Sequence, residues 1–239
     1  METDIGERFE ARRQAYLAHV MVSPAPGGAA EGIFHALARQ AAGQALDGAA
    51  LQAAVELVQA RRPGAEIAIH GLLRLLYAPG GEPGAEAAQV ERAAQAVLGF
   101  KYWPDEAGSD GLRAWTESGY LLLAAAGYLA GQRFPGQVFS AGGQDGRQKM
   151  EANRQRIERW LELRFWAGFS EWLTPTAYDR ALLGLLELVE LCQDQALRRQ
   201  AEMVIDVLLL DVALNSFHGQ LAAGSGAGGA PADPGAPGA

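Results

Sequence analysis

The chain contains a single cysteine, Cys192, and no excess of basic residues. One cysteine cannot form an internal disulfide, and its place in the apolar run LLGLLELVELC favours a small buried core residue over a nucleophile. The 20 Lys and Arg residues face 28 Asp and Glu residues, which gives a formal net charge of −8 at pH 7. Because phosphate backbones need clustered basic side chains, we expect no nucleic-acid partner.

Long apolar runs and targeting segments are also missing. No stretch reaches the ~18 apolar residues of a membrane span, and the most apolar segment, MVIDVLLLDVAL, contains Asp206 and Asp211. The N-terminal segment METDIGERFEARRQAYLAHV lacks the basic start, apolar stretch and cleavage site of a signal peptide. We therefore expect no membrane partner and, if Met1 is the true start, a cytoplasmic protein.

The familiar chemical motifs are absent: the sequence has no Walker A loop, no GxSxG elbow and no paired CxxC. Asp211 and His218 could bind a metal, but two ligands without a third at a known spacing are a weak signal. We predict neither a cofactor nor a metal site.

Apolar residues return every three or four positions along nearly the whole chain. This pattern predicts an all-α fold of antiparallel helical hairpins, with one domain over residues 1–221, arranged either as an α/α toroid or as an α-solenoid. The last helix is apolar almost all round from Met203 to Leu214, which predicts a central, enclosed position. Asp47 and Thr3 are candidate N-caps. The predicted helices cover residues 4–20, 30–43, 48–61, 64–78, 85–101, 110–131, 145–167, 177–193 and 195–219.

Residues 222–239, AAGSGAGGAPADPGAPGA, contain only Ala, Gly, Pro, Ser and Asp. This composition buries too little apolar surface to offset the backbone entropy lost on ordering, roughly 1–2 kcal/mol per residue. We predict a disordered tail whose deletion leaves the thermal stability unchanged.

The aromatic residues are concentrated in the second half. Tryptophans in loops and at helix ends often form platforms for flat ligand faces, including sugar rings, but they are equally the largest core residues. Trp172 is the better binding candidate because GFSEWLTPTAY has the character of a loop. All five tryptophans fall within 70 positions: Trp103, Trp115, Trp160, Trp166 and Trp172.

Glu117 lies between Trp115 and Tyr120 near the start of a predicted helix. A carboxylate there could act as a general acid, a general base or an acceptor for a sugar hydroxyl. The alternative is a structural role, in which Glu117 interacts with the helix dipole or with Arg113 four residues back.

Polar residues also interrupt the apolar helices of the second half. Asp211, Asn215 and His218 are spaced i, i+4 and i+7, so they line one face of the last predicted helix, either as a hydrogen-bond network or as the wall of a polar cavity. Arg164 lies on the apolar stripe of its helix, where a buried guanidinium needs an acidic partner. The candidates for that partner are Glu117, Glu171 and Asp211.

Residues 100–220 carry the phrases FKYWPDEAGSD, AWTESGYLLLAAAGYLAGQRFPGQVF, RIERWLELRFWAGFSEWLTPTAYD and AEMVIDVLLLDVALNSFHG. This stretch, about half of the chain, resembles a group of largely uncharacterised bacterial proteins that are similar to the α/α toroids of six-hairpin glycosidases and polysaccharide lyases. The link to carbohydrate chemistry is an analogy at the level of the fold. Six hairpins need about twelve helices, whereas the sequence pattern predicts nine. The resemblance therefore implies a toroid or a partial toroid arc.

The resemblance implies a carbohydrate-related protein of glycoside hydrolase or polysaccharide lyase ancestry, truncated or catalytically impaired, whose ligand is an oligo- or polysaccharide. In the group, Asn and His follow the Trp-Thr-Glu phrase, where this chain has Ser118 and Gly119. Together with the residue patterns above, the resemblance predicts catalytic roles for Glu117 and Tyr178. It also predicts substrate binding by Trp115, Tyr120, Glu171, Trp172, Asn215 and His218.

The alternative function is a helical protein-interaction scaffold without enzymatic activity. An incomplete toroid would expose apolar helix faces unless a partner or a second subunit covers them. This alternative predicts a chain that self-associates or binds a protein partner.

Overall fold

The computed structural model describes residues 2–78, 87–112, 114–218 and 220–222, with side chains from Gly6 onward. The predicted all-α class is confirmed, since nine helices and one very short β-hairpin account for the regular structure of these residues. The elements are α1 (Glu2–Val22), α2 (Ala29–Ala41), α3 (Gly48–Ala60), α4 (Ala65–Tyr77), α5 (Ala87–Gly99), α6 (Glu117–Arg133), α7 (Gly146–Ala167), α8 (Pro175–Leu191), α9 (Gln195–Leu214), β1 (Ser216–Phe217) and β2 (Gln220–Leu221).

Short acidic side chains begin several of the helices. Asp47 accepts hydrogen bonds from Ala49 N and Ala50 N at the start of α3, as predicted. The N-cap prediction for Thr3 is wrong, because α1 begins at Glu2. Asp145 forms a capping box with Gln148 at the start of α7. These local contacts place helix boundaries within a few residues of those that the sequence pattern predicts.

Two predicted boundaries are wrong. The sixth helix was expected to begin at residue 110, but Thr116 is its N-cap and accepts a hydrogen bond from Gly119 N, so α6 begins at Glu117. The ninth helix was expected to reach residue 219, but α9 ends at Leu214 and the chain turns into the β1–β2 hairpin. His218, in that turn, adopts a positive φ of 49° that a helix does not allow.

The enclosed helix is α6 and not α9. Residues 121–130 of α6 are all buried, because α4, α7 and α8 pack around it. By contrast, α9 packs against α7 and α8 and leaves Met203, Leu210 and Leu214 exposed. The expectation of a central last helix is therefore wrong, because apolar residues all round a helix indicate burial only where neighbouring helices exist on every side.

One hydrophobic cluster extends from Ala30 to Leu208 and joins the two halves of the chain. Hydrogen bonds cross the α4–α6 contact: Tyr77 Oη donates to Leu129 O at 2.7 Å, and His70 Nε2 donates to Leu122 O at 3.1 Å. None of the helices in the described ranges is long and apolar enough to cross a membrane. The predicted tail, apart from Ala222, lies outside the described residues.

Candidate functional site

The loop between α7 and α8, residues 168–174, brings most of the predicted site residues together. Glu117 Oε2 accepts a hydrogen bond from Ser170 N at 2.8 Å. In return, Glu171 Oε2 accepts one from Ser118 N at 2.8 Å. Two glutamates, 54 positions apart in sequence, thus bind each other's neighbouring backbone and clamp the loop onto the start of α6.

Glu117 has further partners that hold its carboxylate and its backbone. Its carboxylate forms an ion pair with Arg164 of α7 and accepts a hydrogen bond from the Ser170 hydroxyl. Its backbone oxygen accepts a hydrogen bond from Trp160 Nε1 at 3.0 Å. Of the acidic partners predicted for Arg164, the structure selects Glu117. Arg113, which the sequence also offered as a partner for Glu117, lies outside the described residues.

A second cluster forms around Asp211 of α9. Its carboxylate accepts hydrogen bonds from the Tyr178 hydroxyl and, at 3.0 Å, from Trp172 Nε1. Asn215 Nδ2 donates to the Asp211 backbone oxygen at 2.8 Å. Of the two roles predicted for the polar stripe on the last helix, the hydrogen-bond network describes these contacts, and it extends to the loop because Leu173 N donates to the Tyr178 hydroxyl at 3.1 Å.

The chemistry open to these groups is limited by the contacts that they already make. Burial and the hydrogen bond to Asp211 raise the pKa of Tyr178 to about 12, so its phenol is protonated at neutral pH. The carboxylates of Glu117 and Glu171 already accept backbone hydrogen bonds from Ser170 and Ser118, and Glu117 is also paired with Arg164. The arrangement therefore resembles a structural clamp. The catalytic roles of Glu117 and Tyr178 stay predictions.

The remaining candidates lie elsewhere. Trp115 is 81% exposed and borders a cavity of about 120 Å³ that Lys101 and Asp110 also line. Tyr120 packs edge-on against Trp103, with ring centroids 4.8 Å apart. His218 is exposed in the β-hairpin turn and contacts the ring of Phe217 at 4.2 Å between centroids. The structure thus does not bring all eight candidates to one cleft.

Sequence reasoning missed an exposed apolar surface on α7 and α9. Its four residues on α9 are spaced i, i+4, i+7 and i+11, so the sequence shows that they share one side of a helix but not that this side is exposed. Beside them, the aromatic pair at the end of α7 lines a groove of about 310 Å³ between the two helices. We define this surface, the α7–α9 apolar face, by Phe165, Trp166, Met203, Val207, Leu210 and Leu214.

Among the described residues, no group of three or more His, Cys, Asp or Glu side chains is placed to hold a metal ion. No protein-family model matches this chain, and neither a curated protein nor a solved structure matches it.

Proposed function

We propose that this chain is a helical protein-interaction scaffold that binds a protein partner through the α7–α9 apolar face. The observation that carries the proposal is a continuous apolar stripe on α9 beside two exposed aromatic rings, of which Trp166 is 79% exposed. A contiguous apolar patch of several hundred Å² on a protein surface is often a site of interaction.

The composition of this face fits the energetics of protein recognition. Trp is among the residues that most often dominate binding energy, particularly beside a pocket that a partner's side chain can fill. The groove next to Trp166 has apolar walls formed by Leu161, Phe165 and Met203, and acidic residues Glu158 and Glu162 at its edge. An apolar centre with a charged rim is the usual anatomy of a protein interface.

The occupied carboxylates of Glu117 and Glu171 support the same proposal. Both accept backbone hydrogen bonds from the other side of the α6–loop contact, so both already have a structural role. A scaffold needs these contacts to hold the end of α7, where Phe165 and Trp166 lie, in a fixed position. The clamp would therefore also fix the position of the α7–α9 apolar face.

The test compares two adjacent leucines of α9. Leu210 belongs to the face and is 58% exposed, whereas Leu209 is 50% exposed and points about 100° away around the helix. Wild type, Leu210→Asp and Leu209→Asp are immobilised and exposed to an extract of the source cells. Retained proteins are identified by mass spectrometry, purified and titrated against all three by calorimetry.

We expect a protein, or the chain itself, to bind wild type and Leu209→Asp alike and to bind Leu210→Asp at least about tenfold more weakly, a loss of about 1.4 kcal/mol. The proposal fails if every retained protein binds the three variants equally and the chain does not bind itself. Circular dichroism of both variants checks that each remains helical.

A carbohydrate-related partial α/α toroid is the second candidate, and the observation that favours it is the exposed Trp115 ring beside a mostly apolar cavity that the Lys101–Asp110 ion pair also lines. An aromatic face with nearby polar groups suits a sugar ring. Calorimetry with neutral and uronic-acid glycans, compared between wild type and Trp115→Ala, tests binding. Reducing-end and ultraviolet assays test hydrolase and lyase activity. Absence of heat and of product in all of them removes this candidate.

A further inference from the structure

Resting on the proposed function, we infer that the partner on the α7–α9 apolar face is a second copy of this chain. The two copies pack α9 against α9 in antiparallel orientation about a twofold axis. Such an interface is isologous, so the same surface must be complementary to itself. The spacing on α9, the shape of the groove beside it, the exposed area and the charge distribution all meet this requirement.

The α9 stripe is symmetric about its own centre. Met203 and Leu214 are equally distant from the midpoint between residues 208 and 209, and so are Val207 and Leu210. In an antiparallel pair centred there, Met203 faces the partner's Leu214, and Val207 faces the partner's Leu210. Every apolar residue of the stripe therefore meets an apolar residue, with no register shift.

The groove on α7 extends this self-complementarity. Arg154 of α7 pairs with Asp194 at the start of α9 at 2.7 Å, and further along both helices Trp166 and Met203 line one groove. The helices therefore run in the same direction, and the groove opens beside Met203. Since Met203 faces the partner's Leu214, that leucine, 75% exposed in the single chain, lies at the groove that Phe165 and Trp166 line.

The exposed area is adequate for a stable dimer. A standard interface buries about 800 Å² per partner, of which a little over half, about 450 Å², is apolar. From the exposed fractions of Phe165, Trp166, Met203, Leu210 and Leu214, the large side chains of the face offer about 300–500 Å² per copy. Half-buried Val207 adds to this value. The exposed apolar area of the face is thus of the size that one dimer contact requires.

Charge favours the antiparallel direction over the parallel one. Arg199 precedes Met203 by one turn and lies on the same side of α9, near the positive end of its own helix dipole. In the antiparallel pair, Arg199 reaches the partner's β-hairpin turn beyond Leu214, at the negative end of the partner's helix dipole. A parallel pair would bring the two Arg199 side chains together.

The oligomeric state of the full chain tests the inference first. In sedimentation equilibrium over a concentration series, wild type and Leu209→Asp are expected to dimerise, and Leu210→Asp to dissociate at least tenfold more readily. A wild type that stays monomeric over the whole series overturns the inference. So does a dimer that Leu210→Asp leaves intact, provided that circular dichroism shows the variant folded.

Cysteine cross-linking tests the register, with little background because Cys192 is buried. The double variant Met203→Cys/Leu214→Cys should form covalent dimers on oxidation, since the two positions face each other across the axis. Neither single variant should, because like positions are about 16 Å apart along the helices. Cross-linking by a single variant overturns the antiparallel register. A monomeric chain that binds another protein through Leu210 overturns this inference and leaves the proposed function standing.

Discussion

Glu117, the first residue of α6, forms an ion pair with Arg164 in the last turn of α7, and the two side chains are only 9% and 12% exposed. Each charge lies at a helix end of favourable sign: the acid at an N-terminus and the base at a C-terminus. The pair therefore joins the start of α6 to the end of α7, where the α7–α8 loop begins. Its position makes it the centre of the clamp described above.

Removing one partner of this pair should cost much more than removing both. Glu117→Leu leaves the Arg164 guanidinium buried without its counter-charge, and such breakage typically costs about 3–5 kcal/mol. The double variant Glu117→Leu/Arg164→Met should recover at least half of that loss, because no buried charge is left. Urea unfolding followed by circular dichroism measures both values.

The control for that experiment is an exposed pair on the same helix. Glu162 pairs with Arg159 at 2.8 Å, and both side chains are more than half exposed. Glu162→Ala should change the free energy of unfolding by about 0–1 kcal/mol. Equal losses for Glu117→Leu and Glu162→Ala would show that the Glu117–Arg164 pair is not buried in solution.

The Tyr178 hydroxyl links the loop to α9, because it donates to Asp211 and accepts from Leu173 N. Tyr178→Phe keeps the ring in the core but leaves both partners without this contact, which should cost about 1–3 kcal/mol. Burial and the hydrogen bond to Asp211 raise the pKa of this phenol to about 12, so the difference between the alkaline titrations of wild type and Tyr178→Phe should show a tyrosine that ionises near pH 12. The difference is needed because burial also raises the pKa values of Tyr77, Tyr102 and Tyr128. A difference that appears near pH 10 instead would contradict the buried, hydrogen-bonded position of the Tyr178 hydroxyl.

The helices were predictable because their signals are local. Asp47 and the return of apolar residues every three or four positions fix where a helix begins and which residues it contains. The start of α6 was missed because helical spacing continues through residues 110–116, whereas Thr116 caps the helix from outside. Apolar spacing alone does not show that a helix is capped at Thr116 rather than extended toward residue 110.

The relations between helices were less predictable. Arg164 was expected to have an acidic partner, but Glu117, Glu171 and Asp211 were equal candidates until the helix ends were placed in space. Leu208 and Leu210 have the same chemistry in sequence, yet one is buried and the other exposed. Which side of α9 lacks a neighbour depends on the packing of all the helices, and no residue of α9 itself carries that information.

The α6–α7 contact should tolerate no added methyl group at Gly131. A Cβ there would lie 2.8 Å from the backbone nitrogen of Met150, and backbone atoms cannot move aside as a flexible side chain can. Gly131→Ala should destabilise the fold by about 1–3 kcal/mol.

Gly136, in the loop that follows α6, provides the control for this substitution. A Cβ added at Gly136 would meet no atom within 4 Å. Gly136→Ala should therefore be neutral or slightly stabilising, because alanine has fewer conformations to lose on folding. Thermal unfolding compares the two variants, and equal melting temperatures would contradict the close approach of α6 and α7 at Gly131.

Glu187 of α8 should make stability depend on pH. Its side chain is fully buried, and burial raises its pKa from about 4.5 to about 7. Arg74 of α4 opposes this shift, because it pairs with Glu187 at 2.7 Å. Arg74 also pairs with Glu190. The folded pKa is thus above the unfolded value. The folded protein buries the protonated acid more favourably than the ionised carboxylate. The stability gained in this way is fully present below pH 4.5 and is lost as the pH rises to about 7.

Replacing the acid by its neutral isostere isolates this contribution. The free energy of unfolding of wild type minus that of Glu187→Gln should fall by up to about 3 kcal/mol between pH 4.5 and pH 7 and then stay constant. His70, whose pKa burial lowers to about 4, changes stability in the opposite direction, but it is present in both proteins and its contribution cancels in the difference. Urea unfolding at a series of pH values measures that difference. A difference that stays flat from about pH 4.5 to about pH 8 would mean that the Glu187 carboxylate is ionised throughout this range, stabilised by Arg74 as fully as water stabilises it in the unfolded chain.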